Sequence, residues 1–202
     1  VFMAGKAGSR LVHGVGINDG KYKAIVDGKT TCIYGKWQRM LGRCYDEKSL
    51  IAKPTYIGCS VSDNFKAYAL FHEWYIEQIG FEYQDWQLDK DLLIRNNKVY
   101  SEECCILLPK DINTLIIKND ARRGDWPIGV SKHKRDGTFS AVCNYGRLRQ
   151  KHLGSFNCPM KAFSVYKKAK ESYIKQVAEQ YKDVIDPRAY KALLEYEVNI
   201  ED

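Results

Sequence analysis

Between Trp126 and Lys170 the spacing of apolar residues changes from every second position to every third or fourth, and no other feature of the chain restricts its fold as much. Period two belongs to strands with one covered face, and period 3.6 to a helix with one apolar stripe. The first part predicts three short strands, Gly129–His133, Phe139–Asn144 and Arg149–Leu153, with Phe156 trailing the last. Asp136-Gly137 and Tyr145-Gly146 fall where hairpin turns are needed, and each pair contains a residue that tolerates positive φ. After Asn157, the residues Ala162, Phe163, Val165, Tyr166 and Ala169 share a helical stripe, with Lys161, Lys167, Lys168 and Lys170 elsewhere on the helix. The pattern predicts an α+β module, a three-stranded antiparallel sheet with a helix covering one face.

Cations recur on all of these strands. Lys132, Lys134, Arg135, Arg147, Arg149 and Lys151 are expected on the face that the helix leaves open. A solvated basic surface is the plainer account of such a set, yet it does not require cations on every strand. A DNA duplex does reward that arrangement, because phosphate neutralisation supplies affinity and a ribbon of strands fits the major groove. The net charge of the 202-residue chain is +7, but between Lys118 and Lys182 it holds 15 Lys and Arg against 5 Asp and Glu, and elsewhere 17 against 20. The basic excess therefore belongs to the sheet region. Lys118–Asp125, with Arg122 and Arg123, reads as a linker able to follow a phosphate backbone.

The strings GV at 129–130, TFSAVC at 138–143, RLRQKHLGSF at 147–156 and PMKAFSVYKKA at 159–169 resemble the plant Apetala/ethylene-response-factor DNA-binding domain. That domain also occurs attached to phage and mobile-element nucleases. The resemblance implies a sheet packed on one helix and laid into the major groove of double-stranded DNA. Ser131 and His133 stand where the plant domains tend to carry Arg, so no sequence preference is carried over.

Upstream, Tyr34–Tyr45 places Trp37, Met40, Leu41 and Cys44 on one helical face, and Ser62 or Asp63 caps a predicted helix that runs to Gly80. His72 lies on or near the apolar stripe of that helix, where a buried, hydrogen-bonded imidazole is a simpler reading than a catalytic one. Trp86–Leu115 departs from plain packing. Leu88–Ile94 reads as a strand with Asp89 and Asp91 on one side, Asn96-Asn97 as a turn, and Cys104–Leu108 as a buried strand. Pro109 then takes the first turn of a short helix holding Asp111 and Asn113. Carboxylates on a strand and a carboxamide on a following helix form the layout of a ββα-metal finger, in which one hard divalent cation stabilises a scissile phosphate. Spacing alone equally allows a hairpin and helix whose acids are merely exposed.

This stretch resembles the HNH family of phage and intron homing endonucleases. The resemblance implies Asp89 as the metal-binding acid and Asn113, or in its place Asp111, as the helix ligand, with Mg²⁺ or Mn²⁺ as cofactor. The implied reaction is phosphodiester hydrolysis to a 3′-hydroxyl and a 5′-phosphate. Lys90 falls where that family has its catalytic His, and Cys104 near the Asn that braces the loop. A protonated ammonium cannot take a proton from water. Either Lys90 contacts phosphate while another group acts as base, or the finger keeps only a structural or binding role. Two alternatives to a DNA endonuclease follow: a non-catalytic DNA-binding or regulatory protein, and an adaptor or inhibitor of a host protein.

The expected organisation is a Gly-rich lead-in over 1–30, an HNH-like α+β domain over 31–117, the linker 118–125, the Apetala-type domain over 126–182, and a C-terminal helix with an acidic tail over 183–202. Seven cysteines without C-x2-C spacing point to small buried thiols rather than structural zinc. No apolar run approaches the roughly 20 residues that span a bilayer. No membrane partner is expected, and the expected location is the cytoplasm, that of a host cell if the chain is phage-encoded.

Overall fold

The computed structural model describes residues 11–117, 125–146 and 149–200. It is an α+β structure whose chain divides into two compact units, Val1–Leu108 and Pro109–Asp202. The division falls inside the expected finger, so the strand before Pro109 and the helix after it belong to different units.

The first unit is built on α1 (Cys32–Tyr45), which buries Trp37, Met40, Leu41 and Cys44 as their spacing predicts. The indole Nε1–H of Trp37 donates to the carbonyl of Phe65 at 2.7 Å. Gly16 lies directly on this helix because it has no side chain: a Cβ there would come within 2.4 Å of Leu41 Cδ1 and 2.9 Å of the Trp37 ring. Ile17 then donates to the carbonyl of Lys66 and accepts from the N–H of Tyr68, both at 2.8 Å. That bridge pulls Ala67 into an extended conformation, φ −87 and ψ 118. The helix expected over 62–80 is consequently split into α3 (Asp63–Lys66) and α4 (Tyr68–Ile76). Ser62 does cap, its hydroxyl accepting from Phe65 N–H at 3.3 Å. A further helix, α2 (Glu47–Ala52), is capped by the Asp46 carboxylate, which accepts from Ser49 N–H at 2.9 Å.

Strands in this unit are short. β1 (Ile25–Val26) and β2 (Lys29–Thr30) form a hairpin around Asp27 and Gly28, both at positive φ as a tight two-residue turn requires. β3 (Ser60–Val61) pairs in parallel with β5 (Val99–Tyr100). β4 (Gln87–Asp89) pairs antiparallel with β6 (Ile106–Leu108), with Asp89 opposite Ile106. The expected strand over 88–94 ends at Asp89, and Ile106, Leu107 and Leu108 are buried on both faces.

The second unit begins with α5 (Lys110–Ile116), for which Pro109 is the N-cap rather than the first helical residue. Next comes the antiparallel sheet β7 (Val130–Lys132), β8 (Phe139–Asn144), β9 (Gln150–Phe156), in that spatial order. α6 (Pro159–Tyr181) covers one face. Phe139, Ala141 and Cys143 alternate inward to meet Ala162, Phe163 and Tyr166, and a register shift at Ala141/Val142 lets both Leu153 and Phe156 join them. α7 (Pro187–Leu194) is capped by Asp186, whose carboxylate accepts from Arg188 N–H at 2.7 Å, and it buries Ala189 and Leu193. The C-terminal stretch folds back into the sheet core. Val198 is buried there, its carbonyl accepting from Lys167 Nζ and its N–H donating to Glu171 Oε1, both at 2.8 Å. Among the described residues no helix is long and apolar enough to cross a membrane.

Gly129 tests this packing. It sits at φ +75, and a Cβ there would lie 2.2 Å from the Tyr166 ring. Gly129→Ala is expected to cost roughly 2–4 kcal/mol, combining left-handed backbone strain with overpacking, measured as a lower urea midpoint.

Candidate functional site

Register decides which side chains the open sheet face presents. Residues directly paired across antiparallel strands share a face. Lys132 pairs with Phe139 and Lys151 with Cys143, so both belong to the side that α6 covers. The Lys132 ammonium lies 5.6 Å from the Trp126 ring centre and 5.8 Å from that of Phe139, capping the edge of the core. The expected continuous basic face is therefore replaced by another arrangement. The open face carries Ser131 and Ser155, exposed on the outer strands, with Ser140 buried between them, followed by Val142 beside His152 and Asn144 beside Gln150. His152 Nε2 is 3.4 Å from Ser155 Oγ.

Cations stand round this face. Lys134 and Arg135 occupy the exposed β7–β8 turn, which closes through His133 N–H to Thr138 O at 2.8 Å, with Asp136 accepting from Thr138 N–H at 3.1 Å. Arg149 is exposed where β9 begins, and Lys151 is exposed along that edge strand on the other side of the sheet. Arg122, Arg123 and Arg147 lie outside the described residues. Centre and rim thus differ in chemistry: short neutral hydrogen-bonding groups and one valine inside, long cations outside. Alternation puts Lys132 and Lys151 with Phe139 and Cys143, on the side away from Ser131 and Ser155.

In the first unit, Asp89 closes β4. Its Oδ1 accepts from Asp91 N–H at 2.9 Å and Leu92 N–H at 2.8 Å, turning the chain out of the ladder. Asp91 therefore does not continue a strand beside Asp89. Burial lifts the Asp89 carboxyl above its ordinary pKa, against the opposing pull of the two N–H donors and the Lys90 ammonium. A hard divalent cation would favour the anionic form, and one carboxylate suits Mg²⁺, which keeps several waters and uses one or two carboxylates together with phosphate. Asn113 and Asp111 lie on α5 in the second unit. Among the described residues, no three His, Cys, Asp or Glu side chains gather as a metal cluster.

Lys90 points inward. Its Nζ donates to Asp91 Oδ1 at 2.5 Å and to the carbonyl of Asn97 at 2.6 Å, and stands 5.6 Å from the Tyr100 ring centre. Asn97, read from sequence only as part of a turn, braces the loop. Its Nδ2 donates to the carbonyls of Lys90 and Val99 at 2.8 and 2.7 Å, and its Oδ1 accepts from Val99 N–H at 2.9 Å. Cys104, which falls near the bracing position by resemblance, is a buried free thiol. Asn96 beside Asn97 takes positive φ, the local signal that a structured turn stood here.

His72 is not the hydrogen-bonded core histidine expected. Its ring stacks on Tyr22 at 3.8 Å with planes 7° apart, its buried Nδ1 has no hydrogen-bond partner, and burial pushes its pKa down. The seven cysteines are all free, and burial pushes the Cys44 thiol up to about 12, which makes it unreactive as a nucleophile at neutral pH.

Asn97→Ala removes the acceptor for Val99 N–H. Exchange of that amide is expected to speed up about tenfold, the equivalent of one lost hydrogen bond, as followed by hydrogen exchange with NMR detection. The chain matches no protein-family model, no curated protein and no solved structure.

Proposed function

We propose that the second unit binds double-stranded DNA through the open face of its sheet, and that the first unit carries a metal-dependent finger for phosphodiester cleavage at Asp89. The observation that carries the DNA reading is the division of the sheet into a neutral hydrogen-bonding centre and a cationic rim. Rim cations suit phosphates, which position a protein on the duplex without reading it. Hydroxyls, an imidazole and a carboxamide suit base edges, and Val142 suits the methyl group of thymine. The resemblance of 129–169 to the Apetala-type domain supports the same reading, and the HNH resemblance supports placing the chain with phage and mobile-element homing endonucleases.

For cleavage, the supporting feature is a half-buried carboxylate held by two backbone N–H groups at the end of β4. A Mg²⁺ or Mn²⁺ ion bound there would stabilise charge on the scissile phosphate and the leaving oxygen. A non-cleaving DNA-binding protein is the second reading. What favours it is Lys90, standing in the place of a catalytic histidine, with its ammonium taken up by internal acceptors.

Fluorescence anisotropy with short duplexes across a salt series tests the first claim. Lys134→Ala with Arg135→Ala should lower affinity for all sequences and reduce the salt slope by about 2. His152→Ala should keep the slope and weaken discrimination between sequences. Wild-type affinity that does not respond to salt overturns the reading. For cleavage, supercoiled plasmid in Mg²⁺ or Mn²⁺ should be nicked by wild type and left intact by Asp89→Ala. Tight binding without nicking in either metal selects the second reading.

A further inference from the structure

We infer that Lys90 is a positioning residue: its ammonium acts as an internal cation that closes the Asp89–Val99 loop and thereby fixes the direction of the Asp89 carboxylate. The inference rests on the reading of Asp89 as the finger's metal-binding acid, but its geometry is independent of that reading. The Lys90 side chain is only 6 % exposed, and both hydrogen-bond acceptors of its Nζ belong to the same short stretch of chain. The acceptors are the Asp91 carboxylate and the Asn97 carbonyl, and the π face of Tyr100 stands behind them. A carboxylate and a backbone carbonyl around one positive charge are the kinds of donor that a bound hard cation would recruit.

The consequence for Asp89 comes through the backbone. Asp91 contributes two groups: its carboxylate is anchored by Lys90, and its N–H donates to Asp89 Oδ1. Fixing the Asp91 side chain fixes the peptide that holds the Asp89 carboxylate. The Lys90 carbonyl is tied in turn by Asn97 Nδ2, so the loop is clasped at both ends of the lysine. A buried charge whose partner is removed is costly, and that cost makes the clasp rigid. An ammonium engaged in this way presents no free lone pair to water, so it orients the loop and does not take a proton.

Lys90→Met keeps the unbranched stem as far as Cε and removes the ammonium. Hydrogen exchange at the Asp91 and Leu92 amides should speed up at least about tenfold, and the Mn²⁺ concentration for half-maximal plasmid nicking should rise by about the same factor. DNA affinity should be unchanged, and the pH dependence of nicking should keep its shape. Asp91→Asn, which leaves the lysine in place, should move both readouts in the same direction by less, and it carries the test if Lys90→Met fails to fold. Wild-type amide protection in both variants overturns the inference. So does nicking by Lys90→Met that loses one limb of its pH profile while the amides stay protected, since Lys90 would then be the base. Absence of nicking by wild-type protein removes the cleavage reading alone, because amide exchange still decides whether Lys90 positions Asp89.

Discussion

Alternation along one central strand governs the second unit. Once Phe139, Ala141 and Cys143 turn toward α6, Ser140, Val142 and Asn144 must turn away, and antiparallel pairing extends that choice to both neighbours. No freedom remains for the lysines of β7 and β9 to join the open face. Their charge reaches solvent from the rim because a long side chain can lie along apolar surface with its head in water. The short groups left in the middle allow a close approach of the sheet backbone to a partner, which long cations there would prevent.

Much of this unit was legible before the structure, and for a local reason. Period two, two glycine-containing turns and an apolar helical stripe are all encoded within a few residues of where they act. Trp37, Met40, Leu41 and Cys44 were legible in the same way. What the sequence did not display were pairings between distant segments. Ala67 lies in an unbroken helical pattern, and only Ile17, fifty residues earlier, turns it into strand. The parallel pairing of Ser60 with Val99 has no local signal either. The Asp89 loop falls between these cases. Its turn is local, but the side chains that fold back on it, Lys90 and Asn97, read as a charge and a polar turn until their carbonyl partners are known.

The first unit uses lysine as a fastener more than once. Lys36 is buried, donates to the carbonyl of Gln84 at 3.1 Å and also to that of Trp86, and has its pKa lowered by burial. Lys90 does the same work within its own loop. With strands of two or three residues, this unit has few ladder hydrogen bonds to join its segments, and a buried ammonium with three N–H groups satisfies carbonyls that no strand reaches. Clusters of aromatic rings, such as Phe65 with Phe71 and Trp74 at 5.1 and 4.7 Å, fill the space between.

Val198 has a consequence in time as well as in space. Its side chain completes a core whose strands and main helix all precede it in the chain. Closure waits on a contact between residues far apart in the chain, and such contacts form late. Phe139, Phe163 and Tyr166 thus owe part of their seclusion from water to a residue that reaches their core from the far end of the unit.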